Sequence, residues 1–310
     1  MLRWAAVAVV AAGLAWFLHE MRWQDLSAAL RSATLWPLAL VALLSFVNLF
    51  CKAACWRIML APRHGRVGLL RLFRYTVAAF ATSAVTPARA GEFLRVWMLK
   101  SRDKVPAAES VAVAAAEKLL DGLSMLILVA PLPWLLPELP TWVSRSIAGM
   151  TAIAVALLAA AWIASTRVRS KGFFPRFVAG LEMLRRPGIF AGSLLVLVAS
   201  WVADLAEVWL VLWALGIDLP PAAGLLVLLT LNMAIAVPST PAQVGTLELG
   251  AVAGLTLLKV PDEKALAFAL LYHGMQILPL ILVGLLDIRF VLQIRREAAT
   301  QPEGAAPPPV

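Results

Sequence analysis

Arg89, Glu92 and Arg95 follow one another at three-residue spacing just after Thr86-Pro87-Ala88, with Gly91 between them. A helix re-entered after Pro87 sets two guanidinium groups around one carboxylate on a single face. An Arg that its neighbour leaves partly uncompensated can take a phosphate in a bidentate fork that Lys cannot imitate; the other reading is a salt-bridged topological anchor. A second polar group, Glu117, Lys118 and Asp121, stands 11 to 15 residues into an apolar stretch, roughly 16 Å deep at helical rise. Glu117 and Asp121 share a face, and Lys118 reaches Asp121 at i,i+3. Charge at that depth is costly without a partner or a cavity, so these residues either form an ion network holding the helices or contact a headgroup or proton directly. Asp204 and Glu207, flanked by Trp201, Trp209 and Trp213, form a third group, and Glu248, His273 and Gln276 a fourth. His changes charge near neutral pH, so Asp204, Glu207 and His273 are candidates for proton coupling, against the plainer reading of His273 as a hydrogen-bonded helix contact.

The elements that must position these groups are interrupted helices. Thr86-Pro87-Ala88-Arg89-Ala90-Gly91-Glu92 resembles Thr240-Pro241-Ala242-Gln243-Val244-Gly245, 154 positions on, which follows Pro238-Ser239 and precedes Glu248. Proline removes a backbone donor and glycine loosens the helix, so inside a bilayer such breaks need protein or a water-filled cavity around them. Broken helices at matching places in two halves mark the substrate site of many transporters. Apolar spans are expected at 3–19, 35–51, 106–130, 147–165, 189–213 and 265–288, with interrupted segments at 69–100 and 222–259. The fold class is thus all-α: a polytopic helical membrane protein of about six spans and two re-entrant segments. Domain 1–297 is one transmembrane unit, and 298–310, with Pro307-Pro308-Pro309, reads as a disordered tail.

Composition agrees. Hydrophobic residues make up 62% of the 310, charged residues only 15%, and mean hydropathy is +0.85; no single soluble core hides that much apolar surface. The net charge of +9 belongs to short loops between apolar stretches and follows the positive-inside rule, so a nucleic-acid partner is not expected. Placing the basic loops in the cytoplasm puts 21 Lys and Arg there, Lys52 among them, against 5 outside, and sets both termini in the cytoplasm of a cell inner membrane. Segment 69–100 then enters and returns on the cytoplasmic side and segment 222–259 on the outer side, an inverted repeat in which Gly91 and Gly245 would be equivalent points of backbone approach to a shared cavity. Full crossing of both segments would give a different topology. The polar residues that follow the apolar run within 1–19, His19 and Glu20, offer no convincing small-x-small cleavage site, so the run reads as a retained span rather than a signal peptide. Cys51 and Cys55, one turn apart and without His, read as packing residues, not metal ligands. No metal spacing, phosphate-binding loop or Gly-x-Ser-x-Gly is visible, so neither an enzyme nor a cofactor is expected, and ATP-driven pumping would need a partner.

Arg89-x-Gly91-Glu92-x-x-Arg95, Glu117-Lys118-x-x-Asp121, Trp56-Arg57, and Pro238-Ser239 followed by Gly245-x-x-Glu248 resemble, in that order, the lysylphosphatidylglycerol synthase transmembrane-region family, also called the flippase-like domain family. The resemblance covers about residues 3–295. It implies a membrane domain that handles lipids, best known beside a soluble aminoacyl-transferase domain, of which this chain has no counterpart after its last span. Family members often carry a Gly-rich turn before Gly-x-x-Glu, where this chain reads Ser239-Thr240-Pro241-Ala242-Gln243-Val244. The expected function is movement of a polar or anionic lipid headgroup across the bilayer, with Arg89, Gly91, Glu92, Arg95, Glu117, Lys118, Asp121, Pro238, Gly245 and Glu248 contacting it. The alternative is an integral-membrane accessory subunit that presents a lipid intermediate to a separate synthase or glycosyltransferase. The partners expected are membrane lipids, and a homo-oligomer is compatible with the chain.

The charge bias predicts that substituted-cysteine labelling reaches 53–66 and 168–186 from the cytoplasm and 131–144 from outside; the opposite pattern reverses the topology.

Overall fold

The computed structural model describes residues 23–85, 90–167, 177–178, 180–236 and 243–286. The expected span 3–19, Arg89, Pro238, both termini and the tail from 298 lie outside these. Among the described residues every regular element is a helix. In chain order they are α1 (Trp23–Ser32), α2 (Leu35–His64), α3 (Leu69–Val85), α4 (Ala90–Asp103), α5 (Ala107–Val129), α6 (Leu132–Leu135), α7 (Thr141–Arg167), a short 3-10 turn (Glu182–Arg185), α8 (Pro187–Ala214), α9 (Ala223–Ile235), α10 (Thr246–Leu257) and α11 (Asp262–Leu286).

Three helices are both long and apolar enough to cross a membrane, namely α2, α7 over Thr141–Ile163, and α8. Helices α5 and α11, of 23 and 25 residues, have the length to cross about 30 Å of hydrocarbon, but α5 carries Glu117, Lys118 and Asp121 at its middle. Helix α2 corrects the sequence expectation most. It runs for 30 residues rather than ending at 51, because Lys52 turns inward and the backbone has no breaker before Pro62. Lys52 is therefore a helix-interior residue and not part of a cytoplasmic loop, and 53–64 is helix too, leaving only 65–68 between α2 and α3.

The centre of the molecule is the α2–α8 pair, the most extensive helix contact in it. The Thr34 N–H donates to the Ala214 carbonyl at 2.8 Å, so the start of α2 meets the end of α8 and the two run antiparallel. Each long helix is followed by a helical hairpin, α3–α4 or α9–α10, and then by α5 or α11. The contacts cross over reciprocally: α2 packs on α11 and α8 on α5, while α3 touches α11 and α9 touches α5. Two apolar clusters match this division, one around Trp56, Leu72, Met98, Leu99 and Leu120, the other around Leu212, Leu226, Leu229, Leu255 and Phe268.

The hairpin helices stop in the same way. Lys104 and Lys259 stand just past α4 and α10 with φ of 57° and 60°, and the Val105 and Val260 N–H groups reach back to Leu99 and Leu255 at 3.1 Å, closing helix-ending loops of seven and six residues. Both lysines sit in Lys-Val-Pro, with Pro106 and Pro261 barring further helix. This second recurring tripeptide strengthens the internal match of the two halves.

Gly91 and Gly245, by contrast, are not equivalent. Gly91 lies inside α4, where a Cβ would collide with the Ala79 carbonyl oxygen of α3; it lets the two hairpin helices touch. Gly245 caps α10 from outside the helix with φ 88°, a conformation open to glycine. Neither lines the central cavity described below. Gly91→Leu is accordingly expected to lower the yield of monodisperse protein in detergent, whereas Gly149→Leu, with open space at its Cβ, leaves it unchanged; size-exclusion profiles of both variants check this.

Candidate functional site

In the first half, α4 and α5 are joined by a buried ion pair. Arg95, 4% exposed, sends Nη1 to Glu117 Oε2 at 3.3 Å. The same oxygen accepts Trp56 Nε1–H at 2.6 Å, and the guanidinium lies over the Trp56 ring, 4.7 Å from its centroid. The ring face and the carboxylate thus desolvate and hold one cation together. Arg95 Nε is buried with no hydrogen-bond partner among the described residues. One residue along α5, Lys118 pairs with Glu92 Oε1 at 2.9 Å, both side chains about half exposed. Another turn on, Asp121 takes Lys52 Nζ of α2 at 2.9 Å, and Trp201 Nε1–H of α8 bonds the Asp121 carbonyl at 2.9 Å.

The second half repeats the plan with different chemistry. Glu248, third residue of α10 as Glu92 is of α4, accepts the Gly245 N–H at 2.6 Å and meets His273 Nδ1 of α11 at 2.6 Å. Between the halves, Asn48 Nδ2–H donates to Asp204 Oδ1 at 2.7 Å. Glu207 is fully buried, its Oε1 3.1 Å from Ser45 Oγ and its Oε2 3.3 Å from Gln276 Nε2.

These groups surround a cavity of about 530 Å³, lined from both halves. The structure brings Glu92, Arg95, Lys118, Asp121, Asp204, Glu207 and His273 to its wall. Glu117 and Glu248 stand directly behind, bonded to Arg95 and His273. Two expected pairings are replaced: Lys118 turns to Glu92 rather than Asp121, and Arg95 to Glu117 rather than Glu92. Spacing along one helix could not decide this, because each carboxylate has a stronger cation on a neighbouring helix. Lys52, Asn48, Ser45 and Trp56 were missed as site residues. The signal was present: Ser45, Asn48 and Lys52 fall at i, i+3 and i+7 of an apolar run, a polar stripe on one helix face.

The site residues also correspond at a nearly constant separation. Asp204, Glu207, Glu248, His273 and Gln276 follow Asn48, Lys52, Glu92, Glu117 and Asp121 by 155 or 156 positions. Asn48 and Asp204, separated by 156, bond each other directly.

An all-helical body whose polar groups face an internal cavity and whose long helices are apolar is a multi-pass membrane protein. The chain belongs to the lysylphosphatidylglycerol synthase TM region family, whose model matches residues 3–284. A search of the curated proteins found no match.

Removing one partner of a buried ion pair leaves the other charge uncompensated, at a cost of about 3–5 kcal/mol. Glu117→Gln is therefore expected to lower the thermal midpoint in detergent sharply, and its combination with Arg95→Gln to recover most of the loss. A double-mutant cycle of unfolding midpoints measures the coupling; additive losses would remove the pair from the framework.

Proposed function

We propose that the protein carries the polar headgroup of a phosphate-bearing, anionic lipid across a bacterial-type inner membrane while the acyl tails stay in the bilayer. The observation that carries this reading is the inversion of ordinary protein polarity around the cavity. Large apolar side chains stand on the outside, among them Leu43, Val47 and Phe50 of α2 and Ile153, Val155 and Leu157 of α7. The cations and carboxylates stand within. Such a surface suits lipid tails and such an interior suits a headgroup that must leave water.

On this reading α3–α4 and α9–α10 are re-entrant hairpins of an inverted repeat. Helices α2 and α8 are antiparallel, and each hairpin leaves from the end of its own long helix, so the hairpins enter from opposite faces. Their inner ends bring Glu92 and Glu248 to the same cavity region. Movement of one hairpin against the other half would open the cavity first to one leaflet and then to the other, the alternating access that inverted repeats permit. Exposed Trp36, Trp134, Trp142 and Trp213 fit an aromatic belt at the outer interface.

The phosphate is assigned to the wall of Arg95 and Lys118. Lys118 is half exposed to the cavity and can exchange Glu92 for a phosphate oxygen, while Arg95 has a donor left over behind it. No cofactor and no bond-making step belong to this mechanism.

The test is a dithionite-quenching assay in liposomes holding purified protein and fluorescently labelled phosphatidylglycerol or phosphatidylethanolamine. Protein-dependent movement of label between leaflets is expected. Binding without movement would replace transport by presentation to a partner enzyme, and chemical turnover of the lipid would make the protein an enzyme. Lys118→Gln is expected to slow movement about ten- to hundredfold, the value of one charge-assisted hydrogen bond, with protein yield unchanged, because its pair with Glu92 is solvent-screened; Lys118→Arg is expected to retain movement.

A further inference from the structure

Charge around the cavity does not balance, and the remainder is confined to one place. Lys52 is matched by Asp121, Arg95 by Glu117 and Lys118 by Glu92, while Glu248 has His273. Asp204 and Glu207 are left over, and among the described residues no cation is bonded to either. Their partners are neutral: the Asn48 amide, the Ser45 hydroxyl and the Gln276 amide. Two carboxylates one helical turn apart with only neutral partners, about two turns or more from either end of α8, are expensive in a membrane interior.

The hydrogen bonds say how the cost is avoided. Ser45 Oγ lies 3.1 Å from the Val41 carbonyl and 3.1 Å from Glu207 Oε1, but a hydroxyl carries a single proton. If that proton goes to the Val41 carbonyl, which can only accept, the second contact is satisfied only when Glu207 carries a proton and donates it to Ser45 Oγ.

We propose that Asp204 and Glu207 form a proton-binding site that couples headgroup movement to a transmembrane proton gradient. At neutral pH the pair holds a proton as a carboxylic acid at Glu207; in the transport cycle it releases that proton to one side as carboxylate and takes one up from the other. Lys52, neutralised by Asp121, stays charged and marks the edge of the site. The titratable and charged groups facing the pair are Lys52 and Cys51 on α2, Asp121 on α5 and Tyr272 on α11; His273 of α11 lines the same cavity with Glu248 of α10 bonded behind it. Helix α9 presents the amide of Asn232 instead. The correspondence of the two halves gives the site its logic: where the first half has Asn48 and Lys52, the second has Asp204 and Glu207, so one half carries a fixed cation and the other an exchangeable proton.

This inference rests on the transport reading for its coupling role but not for the site itself, and two measurements separate them. Infrared spectra of purified protein in phosphatidylglycerol liposomes at neutral pH are expected to contain a protonated-carboxyl band that is lost in Glu207→Gln, shifted in Asp204→Asn and unchanged in Glu138→Gln, an exposed loop residue. Both site variants mimic the protonated form and are expected to fold. In the labelled phosphatidylglycerol assay, a one-unit pH gradient is expected to shift the final distribution between leaflets by up to about tenfold per coupled proton, and the shift is expected to vanish with a protonophore and in Asp204→Asn. Absence of the carboxyl band, or dependence on a sodium gradient at clamped pH, overturns the proton site. A band with lipid movement indifferent to the gradient overturns the coupling. A band with no lipid movement under any condition overturns the transport reading and the coupling together, while the proton site stands.

Discussion

Hydrocarbon offers no hydrogen bonds, and the charged groups that surround the cavity of this protein are placed in answer to that constraint. The charges of α4, α5, α8, α10 and α11 turn to a common interior, where each cation meets a carboxylate from a different helix. Arg95 illustrates how far this goes. It is taken by Glu117, covered by the Trp56 ring and nearly excluded from solvent, so three helices are locked around one guanidinium. The antiparallel α2–α8 pair supplies the rest of the framework, because its inner faces carry Asn48, Lys52, Asp204 and Glu207 and its outer faces are apolar.

The duplicated plan of the two halves does not duplicate their chemistry. Arg95–Glu117 in the first half joins the same two elements as Glu248–His273 in the second, although Glu248 corresponds in position to Glu92, and Lys52–Asp121 occupies the place of Glu207–Gln276. The elements joined are the same while the residues joining them differ, so the framework is symmetric and the electrostatics are not. On the transport reading proposed above, a symmetric framework allows two interconvertible states of similar energy, and asymmetric electrostatics let a headgroup and a proton be bound at different walls of one cavity.

Much of this could be read from residue types and order. Composition was enough for the membrane class, since a long apolar stretch has few ways of burying itself; separate helices stand on either side of 86–89 and of 237–242, while Pro87 and Pro241 themselves lie outside the described residues, and Pro62 and Pro279 lie inside α2 and α11 without ending them. The spans at 106–130 and 189–213 agree with α5 and α8 to within two residues. Lys52 was misplaced because a basic residue after an apolar run follows the positive-inside pattern whether it ends the run or interrupts it; only the partner, Asp121, distinguishes the cases. The supposed equivalence of Gly91 and Gly245 failed for a related reason. One glycine serves a helix contact and the other a positive φ, and both needs select the same residue type.

What the sequence by itself determined is therefore the inventory: an apolar helical chain, its breaks, its recurring Thr-Pro-Ala motif, and a short list of charges too deep to be incidental. Tertiary structure decided the pairing. Glu92 and Asp121 each had a cation within reach on their own helix, Arg95 and Lys118, yet Lys118 went to Glu92, Asp121 to Lys52 and Glu117 to Arg95, because packing brings the helices close enough for better-placed and better-desolvated partners. The same packing left Asp204 and Glu207 with neutral partners and no bonded cation among the described residues. A surplus of charge at one point is a property of the assembled bundle, since it depends on which partners every other charge has already taken.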